Sequence, residues 1–259
     1  MKSACRIGVA LALGLAPGAA VAEHVHHGGH HPGGPFSTAV SLVAARFETP
    51  SYGGDYQGVS PAIAWARDRL GVAVAVTLYR LQENGRTLYG LGDTMLGGHA
   101  LITSSAHASA GVSLMMMLPT GATRQGFGMG HVMAMPEVFG SYHTHPMTVA
   151  GSIGFARAVT TERAHQHGSW PLVDPMNMSE LTWSASSELH VLHTAARAIT
   201  AGARVSGGIP VGQPGTTRVV GGVRVAWVAG NLTSAVEVQT GLLGDPFTVR
   251  GVLQTSVSF

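Results

Sequence analysis

The sequence predicts an all-β protein, a transmembrane antiparallel up-and-down β-barrel of about 12 strands. Charged residues make up only 11% of the chain and apolar residues 45%, and 36 of its 259 residues are glycine, which is unusual for a soluble domain. The longest stretch without charge, residues 94–123, is broken by Gly, Ser, His and Pro and does not resemble a spanning helix. Many segments alternate apolar and polar residues, and a closed barrel is the other structure that satisfies its backbone in lipid.

The first 22 residues have the layout of a cleaved export signal. Lys2 and Arg6 are followed by an apolar stretch over residues 7–15 and then by Ala20-Val21-Ala22, which suits signal peptidase. A membrane-anchoring helix is the alternative, but the apolar stretch is shorter than the roughly 20 residues that a span needs. We therefore predict that residues 1–22 are a signal peptide.

Residues 23–35 are predicted to be a flexible, polar, glycine-rich leader on the periplasmic side of the barrel. Its crowded imidazoles can chelate Cu(II), Ni(II) or Zn(II), although such a leader need not bind any ligand. The histidines concerned are His24, His26, His27, His30 and His31. The single cysteine, Cys5, leaves with the signal, so the mature chain forms no disulfide. The mature chain keeps 13 basic and 13 acidic residues, so nothing in it attracts nucleic acid.

Residues 36–259 are predicted to form the barrel. The last strand is the clearest: between Phe247 and Phe259 the odd positions are mostly apolar and the even positions mostly polar. One face therefore suits lipid and the other suits water. The predicted strands are 36–47, 58–68, 70–81, 93–102, 106–118, 130–143, 147–160, 178–191, 195–209, 216–228, 232–243 and 247–259.

Most connections between these strands alternate in length, as the short periplasmic turns and long external loops of outer-membrane barrels do, although residues 213–215 and 244–246 are short at external positions. Long external loops are predicted at residues 48–57, 82–92, 119–129 and 161–177. Strand counts of ten or fourteen are also compatible with the pattern. A soluble β-sandwich is the alternative fold, but it predicts a more charged outer face.

Three short motifs carry a family resemblance. The alternating segment that ends on the aromatic Phe259 resembles the signal that delivers bacterial outer-membrane proteins to their insertion machinery. Gly90-Leu91-Gly92-Asp93 and Pro119-Thr120-Gly121 resemble the recurring "GxGD" and "PTG" segments of a family loosely named after the meta-pathway of phenol degradation. This resemblance implies a transport barrel of about twelve strands in the bacterial outer membrane, with Phe259 as its insertion signal.

The same alternation directs a group of methionine and histidine side chains of the fourth to sixth strands into the lumen. Folding these strands about their connections would place Met95 beside Met115, and Met115 and Met117 beside Met133 and Met135, unless Pro136 marks a bulge that exchanges the faces. Thioether sulfur favours Cu(I) or Ag(I), with imidazole as a borderline partner, but methionine is also a flexible filler of apolar space. The candidate ligands are Met95, His99, Met115, Met117, His131, Met133 and Met135.

A second inward-facing group, on the tenth to twelfth strands, is polar or charged. Its members are Arg218, Arg224, Glu237, Gln239 and Arg250. A simple hairpin register brings Arg224 near Glu237. We favour a charge-paired wall that fills a narrow lumen, and the alternative is a constriction filter that sets ion preference.

These features predict a non-enzymatic outer-membrane channel linked to transition-metal handling, with copper or a similar ion as a non-obligatory ligand. Its expected partners are outer-membrane lipid, the barrel-insertion machinery, and a metal ion or small solute. A generic channel for small hydrophobic or aromatic compounds and a closed barrel with a metal-sequestering leader are alternatives. An enzyme that uses Ser186 and His190 is another, but these residues share one strand and lack a recognisable oxyanion arrangement.

Overall fold

A computed structural model of the chain describes residues 34–48, 53–159, 173, 176–194, 197–212 and 214–259. The predicted signal peptide and the five leader histidines lie outside these residues. Over the part of the chain that is described, no helix is long and apolar enough to cross a membrane. The strands are β1 (Phe36–Glu48), β2 (Gly53–Arg67), β3 (Leu70–Ala75), β4 (Leu78–Glu83), β5 (Arg86–Leu91), β6 (Thr94–Ser104), β7 (Ala108–Leu118), β8 (Met133–Thr144), β9 (Met147–Ala158), β10 (Ser179–His193), β11 (Arg197–Pro210), β12 (Arg218–Ala229), β13 (Leu232–Leu243) and β14 (Phe247–Ser258).

These strands form one closed antiparallel sheet. Strands that follow one another in the chain pair, except β3 with β4 and β5 with β6, and β1 pairs with both β2 and β14, which closes the ring. The segments β3 and β4 both pair with β2, while β6 pairs with β3 and β5 pairs with β4. β3 and β4 are therefore two parts of one interrupted barrel strand, and β5 and β6 are two parts of the next. Counted in this way, the fourteen segments make twelve strands. The predicted twelve-stranded barrel is therefore confirmed.

The two ends of the barrel chain meet at one rim. Phe36 and Phe259 exchange backbone hydrogen bonds of 3.3 and 2.9 Å, and their rings stack with centroids 6.5 Å apart. Barrels with an even number of strands have both termini at the periplasmic rim. The connections after β1, β4, β7, β9, β11 and β13 consequently lie at the opposite, external rim.

The segment 82–92, which the sequence predicts to be a long loop, is instead a tight hairpin of β4 and β5. Its tip is Asn84-Gly85, and both residues have positive φ angles, of 46° and 79°. Asn-Gly is the preferred pair for a two-residue hairpin turn, because both central residues need this conformation. The loop predicted over residues 48–57 is also shorter than expected, since β2 begins at Gly53.

The outer face of the barrel is apolar, as the alternation predicts. In β12, Val223 and Val225 are 62% and 53% exposed, whereas the intervening Arg224 is only 8% exposed. Tyr142, Trp227, Phe36 and Phe259 are exposed near the periplasmic rim, as in the aromatic girdles of outer-membrane barrels. A closed sheet with this outer surface is suited to lipid and not to water.

One residue of β14 departs from the predicted face. The alternation places Phe247 outward, but its side chain is buried among other apolar side chains inside the barrel. The pairing of β1 with β14 shifts between Arg46 and Phe47, so that Phe47 pairs with Phe247. A bulge of this kind re-aims the side chains on one side of it.

The outward position of Val223, at the middle of β12, leads to a prediction. We expect Val223→Arg to make folding into a lipid bilayer less favourable by about 2–4 kcal/mol, because a cation at the bilayer midplane is costly. Val211→Arg, beyond the external end of β11, should cost at most about 1 kcal/mol. Urea titrations in vesicles, followed by tryptophan fluorescence, measure both values. Equal costs at the two positions would contradict an apolar belt.

Candidate channel constriction and lumen

Seven described methionines pack together in the external half of the barrel. They are Met95, Met115, Met117, Met129, Met133, Met135 and Met176, and none is more than 9% exposed. The other buried members of this cluster are Ala64 and Ala156. We call this group the thioether cluster. Because buried methionine side chains from three strands and two loops belong to this one cluster, they occupy this part of the lumen and form a candidate constriction.

The pairing of β6 with β7 differs from the predicted register by two residues. The sequence places Met95 beside Met115, whereas the structure pairs Met95 with Met117 and Met115 with Gly97. The turn between β6 and β7 comprises residues 105–107 instead of the predicted 103–105, which moves every pairing along β7, and the irregularity between Leu101 and Thr103 offsets only one residue of this change. The shift keeps the same side chains inside, because it is an even number of residues.

The pairing of β7 with β8 agrees with the prediction. Met115 lies opposite Met135, and Met117 lies opposite Met133. Pro136 is exposed and the side chains beyond it keep their alternation, so the proline does not exchange the faces of β8. The predicted inward arc of five strand methionines is therefore present in the structure.

Two members of the thioether cluster come from external loops, and the sequence pattern did not include them in the arc. Met129 lies between β7 and β8, and Met176 lies between β9 and β10. Period-two alternation applies only within strands and cannot orient a loop residue. The only feature of the sequence that could have indicated these two methionines was therefore their residue type. Both loops therefore contribute side chains that cover the constriction from outside.

The two histidines predicted to join the methionines lie at different heights along the barrel. His131 is only 2% exposed and precedes β8 by two residues. His99 is half-buried in β6 opposite Gly71, and its ring occupies the space that a side chain at Gly71 would need. Within the described ranges, no three His, Cys, Asp or Glu side chains are arranged to hold a metal ion. A metal at the constriction would therefore depend mainly on thioether sulfur.

Asp93 joins the two sequence motifs that carry the family resemblance. Its Oδ1 accepts a hydrogen bond of 2.9 Å from the backbone N–H of Gly121, and its Oδ2 accepts one of 2.7 Å from the N–H of Met129. The hydroxyl of Thr120 accepts a further bond of 2.8 Å from the N–H of Thr94. A Cβ atom at Gly128 would lie 2.5 Å from Asp93 Oδ1, so this close approach requires glycine. The carboxylate thus holds the loop of residues 119–132 against the barrel wall.

An aromatic and aliphatic cluster lies beside the thioether cluster. Phe127, from the same loop, stacks on Tyr79 of β4 with ring centroids 6.2 Å apart, and Tyr79 meets Tyr56 edge-on at 6.1 Å. The buried members are Ala45, Phe47, Tyr56, Leu81, Phe127, Val173 and Phe247. We call this group the aromatic cluster. The backbone N–H of Val173 donates a 3.1 Å hydrogen bond to Gly126, which links the two external loops.

The opposite wall, formed by β10 to β14, is polar and charge-paired. Arg224 lies directly opposite Glu237, as the hairpin register predicts, but its guanidinium Nη1 bonds Glu188 of β10 at 2.9 Å. Both partners of this ion pair are at least 87% buried. Gln239 donates to Glu237 and accepts a 2.6 Å bond from Arg250. These contacts are those of the charge-paired wall that the sequence favoured.

Arg218 forms the external end of this wall. It donates a 2.6 Å hydrogen bond to Glu180, which is fully buried, and lies 3.9 Å from Asp245 in the turn between β13 and β14. Burial raises the pKa of Asp245, while the nearby cations of Arg250 and Arg218 oppose that rise. The wall is therefore a network of matched charges.

Ser186 and His190, the residues of the enzyme alternative, both lie on the inner face of β10. The Nε2 atom of His190 is within 3.1 Å of the hydroxyl of Thr148 on the adjacent strand. The structure thus assigns this nitrogen a partner other than Ser186.

A closed antiparallel barrel with an apolar outer face and a polar or plugged interior defines the class of outer-membrane β-barrels. No family model and no curated protein matches the sequence. Among solved structures, the fold is similar to that of the COG4313 outer membrane channel from Pseudomonas putida F1, with a TM-score of 0.63 and 11% identity over 91% of this chain and 100% of that chain.

The fold is also similar to that of the KdgM porin, with a TM-score of 0.55 and 11% identity over 86% of this chain and 99% of that one. The β domain of the Bordetella autotransporter BrkA has a TM-score of 0.51 and 14% identity, covering 88% and 99% of the two chains. At such identities the similarity shows a shared fold, which indicates the bacterial outer membrane.

Proposed function

We propose that this protein is an outer-membrane channel for small solutes whose external entrance is closed by the thioether cluster. The closed barrel and its apolar belt support the membrane location. Two of the similar structures are described as a channel and a porin, which supports passage of a solute. The exposed ring of Phe259 at the periplasmic end of β14 is accessible for recognition by the insertion machinery, which we propose as a partner.

The finer proposal is that the solute is a soft transition-metal ion such as Cu(I) or Ag(I). This proposal rests on the composition of the thioether cluster, because every buried member that the structure describes is Met or Ala. The neighbouring aromatic cluster fills the same lumen with Phe, Tyr, Leu and Val. Filling the interior of this barrel therefore does not require methionine in particular. Sulfur ligands select Cu(I) and Ag(I) over hard cations.

The histidine-rich leader extends this proposal to the periplasmic side. Residues 23–35 precede β1, whose first residue lies at the periplasmic rim. Neutral imidazoles at this density bind borderline ions. We propose that the leader collects such ions beside the barrel.

Silver binding tests the metal proposal. We expect the refolded mature protein, with the five leader histidines changed to Asn, to bind Ag(I), and Met115→Leu/Met135→Leu to weaken that binding at least tenfold. Leucine conserves volume and removes sulfur, so packing is little changed. Met116→Leu is the matched control, because Met116 lies between Met115 and Met117 in the sequence but on the opposite, outward face of β7. Isothermal titration with Ag(I) measures all three affinities, and single-channel recordings show whether Ag(I) blocks conductance.

Absence of Ag(I) binding in the leader-substituted protein, or equal binding by the double variant, would contradict the metal proposal.

The second candidate function is then a channel for small hydrophobic or aromatic compounds, which the aromatic cluster favours. Tyr79 stacks on Phe127 and meets Tyr56 edge-on, so this part of the lumen is lined by the type of side chain that packs against an aromatic solute. Uptake of such compounds by vesicles containing the protein distinguishes this candidate.

A further inference from the structure

Two histidines meet at the periplasmic mouth, at the opposite end of the barrel from the thioether cluster. His143 is near the end of β8 and His190 is near the end of β10, and both side chains point inward. Thr148 of β9 lies between them. His143 Nδ1 is 2.7 Å and His190 Nε2 is 3.1 Å from the same atom, Thr148 Oγ1. The two rings are nearly perpendicular, with centroids 5.1 Å apart.

The shared hydroxyl directs one nitrogen of each ring toward a common point. A threonine hydroxyl can donate to one imidazole nitrogen and accept from an N–H of the other, so both contacts are satisfied with neutral rings. Neutral imidazole is the form that binds metals. A bound ion needs its nitrogen ligands at about 2.0–2.1 Å, so on binding both rings would turn these nitrogens from Thr148 Oγ1 to the ion.

Further imidazoles surround this pair. His145, in the turn between β8 and β9, and His193, at the end of β10, are exposed and lie within electrostatic range of His190. The turn is anchored to β10, because the N–H of His190 donates a 2.8 Å hydrogen bond to Pro146. Exposed side chains at a rim can rotate to add a third or fourth ligand, and water can fill any remaining position.

We propose that His143 and His190 form a metal site at the periplasmic mouth for a borderline divalent ion such as Zn(II) or Cu(II). The described imidazoles are not already arranged as a complete set of three ligands. The site is therefore one that binds and releases an ion at the rim, and not a closed structural site. It goes beyond the proposed function and does not depend on the thioether cluster, because the two histidines lie at the opposite end of the barrel from that cluster.

Zinc titration tests this site in the refolded mature protein whose five leader histidines are changed to Asn. We expect one equivalent of Zn(II) to bind, and His143→Asn or His190→Asn to weaken binding at least tenfold. His107→Asn is the matched control, because His107 is an exposed histidine of the same rim, in the turn between β6 and β7, and its Nδ1 atom lies 3.4 Å from the backbone oxygen of His143 and not beside Thr148. Heat-dependent mobility on gels confirms that each variant is folded.

Copper spectroscopy separates ligation from a structural role of the two histidines. In the same background, electron paramagnetic resonance of one equivalent of Cu(II) should show coupling to imidazole nitrogen, and this coupling should be reduced in His143→Asn. Failure of the folded background protein to bind Zn(II), or unchanged affinity and coupling in both variants, would overturn the proposal. Since Ag(I) binding at the thioether cluster is measured independently, either result leaves the proposed function to be judged separately.

Discussion

Replacing Asp93 with alanine should raise the single-channel conductance several-fold. The carboxylate accepts two backbone hydrogen bonds from the loop of residues 119–132, and the one from Met129 is buried. A buried group that loses its partner costs about 1–3 kcal/mol. A total of about 3 kcal/mol changes the ratio of docked to released loop by roughly 100-fold. Release would also withdraw Phe127 and Met129 from the two clusters that fill the external entrance.

The effect of Asp93→Ala is measured by planar-bilayer recordings of the refolded protein. Asp55→Ala is the matched control: Asp55 also lies in the external half and bonds Arg80 at 2.9 Å, but it is 40% exposed. An exposed pair contributes at most about 1 kcal/mol, so this variant should conduct as the wild type does. Asp93→Asn keeps one acceptor oxygen and should give an intermediate conductance. A wild-type conductance for Asp93→Ala would show that the loop does not limit passage.

Replacing Arg224 with methionine should destabilise the barrel by about 3 kcal/mol or more. Its guanidinium pairs with Glu188 inside the barrel, where both side chains are largely removed from solvent. Breaking a buried pair by removing one partner leaves the other charge uncompensated, which costs about 3–5 kcal/mol. Urea unfolding in detergent, followed by heat-dependent mobility on gels, measures the loss.

Adding Glu188→Gln to Arg224→Met should recover most of this loss, because the stranded charge is then removed as well. Glu188→Gln alone should cost less than the arginine substitution, since Glu237 lies opposite Arg224 and can still interact with it. A double variant no more stable than Arg224→Met would show that the pair is not the source of the effect.

The inward methionines show how far alternation alone can predict this lumen. The side-chain period of two is a local property, so Met115, Met117, Met133 and Met135 could be assigned to the inner face without knowing any partner strand. The partner of Met95 could not be assigned, because it depends on the position of the turn between β6 and β7, which comprises residues 105–107 instead of the predicted 103–105. Phe247 shows the opposite case, where a bulge changed the face itself.

The two motifs of the family resemblance show a limit of another kind. Asp93 and Gly121 are 28 residues apart, and no spacing rule predicts that one accepts a hydrogen bond from the other. The sequence suggested a family through these motifs, and the structure supplies a physical reason why they occur together in this chain. The roles of Met129 and Met176 are similarly a consequence of where the loops fold.

The amino-acid pattern by itself determined the class of fold and, apart from Phe247, the division between lipid-facing and lumen-facing side chains, and it favoured twelve strands, because each of these follows from local alternation and turn spacing. Only the tertiary structure decided the register of the methionines, the docking of the external loops and the meeting of His143 with His190. These depend on closure of the sheet and on which side chains, far apart in the sequence, pack together inside the barrel.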